Sequence, residues 1–190
     1  MKKQLLICGD SFSYDFGNDS SWLTGLTDYH VTNLSQAGCG EYKIYLQLKS
    51  AELSKFDQLI LCHTSPNRLY IAQNSGLHQA LSHKNSDLLF ADVDSKKHQS
   101  TLARVAYEYF TNIFDVDYYN YIHNLICADI DHMTSNHRVL HVTSFDYSDL
   151  YQFNGKLLNL YNIWQTHPGS INHYSELGNQ IVLKRIMENL

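Results

Sequence analysis

Short unbroken apolar runs alternate along this chain with longer stretches in which apolar residues recur at helical spacing. The first run, Leu5-Leu6-Ile7-Cys8, stops at Gly9-Asp10-Ser11. An apolar run of about four residues closed by a small-residue turn predicts a buried strand ending in a loop. Residues 29–34, 56–63 and 138–143 repeat the signal, and 156–160 form a shorter fifth strand. Between them, Ile44, Leu46, Leu48, Ala51 and Leu53 predict an amphipathic helix starting at Glu41. Leu102, Val105, Tyr109 and Ile113, then Tyr118, Ile122, Leu125 and Ile126, predict helix over 101–132 with a break at 115–117. A helical patch covers 22–26. Leu177, Ile181, Ile186 and Leu190 mark a closing helix after a polar loop over 164–173. Residues 73–100 are polar, contain histidines and show little periodicity, as an insertion or lid would. Strands alternating with helical patterns predict a parallel sheet with crossover helices.

Composition narrows this to one domain over 1–190. With 44% hydrophobic residues, 17% charged and two prolines, the chain has the profile of a compact globular protein. A net charge of -5 argues against nucleic acid or an anionic membrane as a partner. No apolar stretch approaches the roughly 20 residues that span a bilayer. The run behind Met1-Lys2-Lys3 is too short for a secretory signal, so the cytoplasm is the expected compartment. Four scattered cysteines, Cys8, Cys39, Cys62 and Cys127, form no Cys-x-x-Cys pair and imply neither a disulfide framework nor a zinc ribbon.

The candidate chemistry sits where strands end. In an open α/β sheet ligands bind at the carboxyl ends of the strands, so Ser11 faces a crevice and is a candidate nucleophile. Asp10 and Ser11 also suit a helix cap. Gln36-Ala37-Gly38-Cys39-Gly40 is a tight loop before the helix at Glu41, and its backbone N–H groups favour an anion or developing negative charge. Gly38 equally suits a turn that needs positive φ. Asn67, after Pro66, is a good turn residue. His173, immediately before the closing helix, can be brought beside the end of the first strand.

Taken in order, these residues resemble the SGNH (GDSL-like) hydrolases. Gly9-Asp10-Ser11-Phe12-Ser13 resembles the family's nucleophile motif, residues 33–40 its glycine motif, Pro66-Asn67-Arg68 its asparagine motif and residues 172–178 its histidine motif. The resemblance implies a flavodoxin-like, three-layer α/β/α sandwich and a serine esterase that needs no metal or organic cofactor. It implies Ser11 as nucleophile, His173 as base, and an oxyanion held by the Ser11 and Gly38 N–H groups and the Asn67 amide. The implied substrate is a small-molecule or carbohydrate ester with a small acyl group such as acetate. One position departs. The family usually carries Asp three residues before the histidine, where this chain has Ser170, and no carboxylate lies between 150 and 173. Losing the orienting acid of a serine triad costs about 10⁴ in rate.

Two other readings stay open. Asp10, His63, His167 and His173 offer donors for a zinc or manganese phosphoesterase, although at no closely paired spacing. A glycan-binding protein or acyltransferase on the same scaffold is the other. Tyr70, Tyr107, Tyr109, Tyr118 and Tyr119 are candidates to line a sugar site or simply to pack.

Overall fold

The computed structural model describes the chain apart from residues 1, 18–19, 73–75, 79–80, 147–150 and 170–172. Five parallel strands make the central sheet: β1 (Lys3–Gly9), β2 (Tyr29–Asn33), β3 (Gln58–His63), β6 (Val139–Thr143) and β7 (Lys156–Asn159), in the order β2-β1-β3-β6-β7. This is the flavodoxin-like order. A two-stranded antiparallel ribbon, β4 (Arg68–Leu69) with β5 (Leu88–Leu89), stands apart. The helices are α1 (Glu41–Ser50), α2 (Phe90–Lys96), α3 (Thr101–Asn112), α4 (Val116–Met133), α5 (Tyr161–Thr166) and α6 (Glu176–Met187).

The three layers follow from side-chain alternation along strands. Leu5 and Ile7 of β1, with Ile60, Leu140 and Val142, face a layer formed by Trp22, Leu26, Val182 and Ile186. Leu6 and Cys8, with Leu59 and Leu61, face Ile44 and Leu48 of α1 and Ile130 of α4. Because β1 and β3 are covered on both sides, they read as continuous apolar runs. The helical stretch over 101–132 breaks after Asn112, and the Asp115 side chain starts α4 by accepting from Tyr118 N at 2.8 Å. No helix among the described residues is long and apolar enough to cross a membrane.

Residues 73–100 hold more structure than their weak periodicity predicts. They carry β5 and α2, and Leu88 and Val93 join Leu77, Ala103 and Ala106 in a separate small core. Helix α5 lies partly in the stretch predicted as polar loop. Both helices have under two turns and take their stability from what they pack against, a signal that local propensity does not carry.

Candidate active site

Strand β1 pairs with β2 on one side and β3 on the other, with Ile7 opposite Asn33 and Gly9 opposite Cys62. The chain therefore leaves β1 in opposite directions on either flank, and a crevice opens at its carboxyl end. Gly9, the last residue of β1, lets its neighbours approach the backbone closely. A Cβ at this position would sit 2.6 Å from Cys62 Cβ and collide with Ser13 Oγ. The buried Gln47 of α1 holds the same peptide, its Oε1 accepting from Gly9 N at 2.8 Å and its Nε2 donating to Gly9 O at 3.1 Å. Residues 10–13 then form a turn rather than a helix start. Asp10 Oδ1 accepts from Phe12 N at 2.9 Å and Asp10 O from Ser13 N at 3.2 Å, which leaves Ser11 at the apex, half-buried.

Ser11 lines a cavity of about 700 Å³ together with Gly38, Arg68 and His173. That volume suits a small-molecule site. The cavity's outer wall comes from the insertion, through His78, His83, Ser86, Asp87, Asp92 and Lys96. Phe12 and Phe16 flank His173, with ring centroids 5.4 and 5.3 Å away. Gly38 has φ +74, and a Cβ there would lie 2.8 Å from Ser86 Cβ. Glycine is thus required by both conformation and space.

Asp87 bolts the insertion to the site. Its Oδ2 accepts from Gly40 N at 2.6 Å, its Oδ1 accepts from Ile71 N at 3.0 Å and pairs with Lys43 Nζ at 2.7 Å, and its own N–H donates to Gly38 O at 2.9 Å. Gly40 begins α1 without a side-chain cap of its own, so a carboxylate from 47 residues away supplies it. Arg68 closes the other side, donating from Nη1 to Gly38 O at 2.9 Å and from Nε to Thr64 Oγ1 at 3.1 Å.

Burial raises the Asp10 carboxyl to about 6, against the opposing pull of the Arg68 charge. His83 is held below the ordinary histidine value by burial and by nearby His78 and His173. His78 Nε2 and Asp92 Oδ2 stand 3.3 Å apart on the same wall.

Not every candidate converges. Asn67 is exposed and lies outside the cavity lining, where Arg68 stands instead. Ser170 falls outside the described residues. Tyr107, Tyr109 and Tyr118 line neither this cavity nor the smaller pocket of about 130 Å³ to which Tyr70 and Tyr119 contribute. Nor do Asp10, His63, His167 and His173 gather into a metal site. Among the described residues, the one grouping of three or more such donors is Glu41, His63 and Cys127.

That grouping belongs to a buried network of which sequence reasoning named only His63, and with other partners. Glu41 Oε1 meets His63 Nδ1 at 2.6 Å, and His63 Nε2 meets His141 Nδ1 at 2.9 Å. Glu41 Oε2 accepts from Thr64 N at 3.0 Å and has His123 Nε2 at 3.4 Å. Phe153 stacks on both His63 and His141, at 4.3 and 4.0 Å. Burial alone would raise the Glu41 carboxyl, but His63 and His123 outweigh it and hold it well below the usual range. Burial pushes His141 down to about 3, so it is neutral. The available signals were a histidine closing a wholly buried strand and His123 with Cys127 four apart on α4.

Compared with family models and with curated proteins, the chain matches none. The resemblance to SGNH hydrolases therefore stands on the motifs quoted above.

Proposed function

We propose that the protein is a serine esterase acting on a small acyl ester, such as an acetyl group on a carbohydrate, in the cytoplasm. The observation that carries this reading is that Ser11, Gly38 and His173, from three distant parts of the chain, line one cavity at the carboxyl end of β1. A serine hydroxyl becomes a good nucleophile only beside a base. In the proposed reaction Ser11 Oγ attacks the acyl carbonyl carbon and His173 takes its proton. The oxyanion draws on the Ser11 and Gly38 N–H groups, and preorganised donors of this kind are worth about 3 kcal/mol each. Collapse expels the alcohol, which receives the proton from His173. Water activated by the same imidazole then frees the acid and restores Ser11. Asn67 lies outside the lining, and of Pro66-Asn67-Arg68 only Arg68 reaches it.

The test is intact mass after incubation with a fluorophosphonate at neutral pH, on wild type, Ser11→Ala and His173→Ala. A single adduct that maps to Ser11 and disappears in both variants is expected. A folded wild-type protein that takes no adduct overturns the esterase reading and leaves a binding role for the cavity.

A further inference from the structure

The buried network beneath the site contains more than an ion pair requires. Glu41, His63 and Cys127 each place one ligand atom within 4.8 Å of the other two, with all three residues buried. His123 Nδ1 lies 3.5 Å from Cys127 Sγ. Two ligands of one zinc, at about 2.0 Å for nitrogen and about 2.3 Å for sulfur, stand about 3.5 Å apart at the tetrahedral angle. We propose that Glu41, His63 and Cys127 form a centre for one zinc-class divalent cation that joins α1, β3 and α4, with His123 Nδ1, beside Cys127, as the fourth donor that binding draws in.

The outer contacts of the two histidines point the same way. A metal-bound imidazole donates its distal N–H to a carboxylate or carbonyl, which fixes the tautomer and turns the other nitrogen's lone pair inward. His123 Nε2 meets Thr64 O at 2.9 Å, a contact that requires N–H on Nε2 and turns Nδ1 toward Cys127. His63 Nε2 meets His141 Nδ1, while His141 turns its Nε2 toward Asp131 Oδ1 at 3.8 Å. Asp131 is held in turn through Oδ2 by Tyr151 Oη at 3.0 Å and Asn154 Nδ2 at 2.6 Å. Both inner nitrogens thus have a structured second layer behind them.

Charge and donor type agree. One carboxylate, one thiolate and a divalent cation sum to zero, which suits three buried ligands. Mixed imidazole, thiolate and carboxylate donors favour zinc over magnesium or calcium. The 2.6 Å between Glu41 and His63 is a proton-sharing distance. On binding, the cation takes the place of that proton and of the Cys127 thiol proton, so two protons leave as two charges enter. Glu41 and His123 line the smaller pocket of about 130 Å³ and none of the four lines the large cavity, so the centre is separate from the candidate active site. The proposal is independent of the esterase reading.

The test is elemental analysis of protein purified without chelator, followed by refolding from denaturant with Co²⁺. About one zinc per chain is expected, with a thiolate-to-cobalt charge-transfer band after refolding. Cys127→Ser loses that band. His141→Gln, which alters only the outer layer, weakens the cation by about 10- to 100-fold in a chelator competition. His173→Ala retains the metal, which separates this centre from the cavity histidines. A wild-type chain that carries no metal and refolds with Co²⁺ without the band overturns the proposal. So does a cobalt spectrum unchanged in Cys127→Ser, or metal lost in His173→Ala.

Discussion

Asp87→Ala tests whether the insertion is fixed to the sandwich or merely covers the cavity. The carboxylate is buried, with side-chain exposure of 1%, and its partner Lys43 is nearly so at 11%. Removing it takes the cap from α1, worth about 1 kcal/mol. It also leaves the Gly40 and Ile71 N–H groups without their acceptor, at about 1–3 kcal/mol for each that water does not reach. Breaking a buried ion pair from one side costs about 3–5 kcal/mol. These terms describe overlapping contacts and do not add. The expected loss is about 4 kcal/mol, equivalent for a chain of this size to a Tm lower by about 10 °C. Urea denaturation followed by circular dichroism measures it, with Asp87→Asn beside it. The asparagine keeps an oxygen for Gly40 but not the charge for Lys43, so about half the loss is expected. If Asp87→Ala loses less than about 1 kcal/mol, the carboxylate is dispensable and the insertion is a cover rather than a fixed wall.

Asp10→Asn removes a titration. The folded carboxyl titrates at about 6 rather than 3.8, so the native state holds more protons than the unfolded state between those values and wild-type stability falls as pH rises through them. Asparagine retains an acceptor for Phe12 N, and its stability relative to wild type should improve by about 2 kcal/mol between about pH 4 and about pH 7. Equal differences at the two pH values in urea melts would count against a buried carboxyl at Asp10. Gln47→Leu leaves Gly9 N without its acceptor and should destabilise by about 1–3 kcal/mol. Because Gly9 leads into the Ser11 turn, fluorophosphonate labelling of Ser11 should also slow. A variant as stable as wild type would show that the β1 terminus holds its course without this clamp.

The sheet was legible because β1 and β3 are buried on both faces and must be apolar throughout. Ser11 and Gly38 were legible because a strand end and a positive-φ turn leave residue-type signatures. Asn67 was not, because its placement depends on a neighbour. Arg68 pairs with Leu89 in the small ribbon, and adjacent residues of an extended chain point to opposite sides, so Arg68 at the cavity leaves Asn67 facing solvent. The buried network, His63 apart, was invisible for a related reason. Glu41, His63, His123 and His141 come from α1, β3, α4 and β6, and only the fold makes them neighbours. A polar residue on its own reads as surface. The insertion escaped pattern reading because its apolar positions serve a small core shared with α3, not one face of a long helix.

The order in which the layers close bears on how the chain is made. As the chain leaves the ribosome, β1 precedes its partner β3 by some fifty residues, and β6 follows well after that. The face of the sheet carrying Leu5, Ile7, Ile60 and Leu140 is covered by Val182 and Ile186 of α6, the last helix to emerge. Until then a broad apolar surface stays open to other nascent chains and to chaperones, since synthesis proceeds at about 5–20 residues per second. His173, just ahead of α6, arrives with that same closing helix. A truncation that removes α6 would therefore leave an aggregating chain rather than a folded one with an altered cavity, and that cavity assembles only as the sheet is sealed.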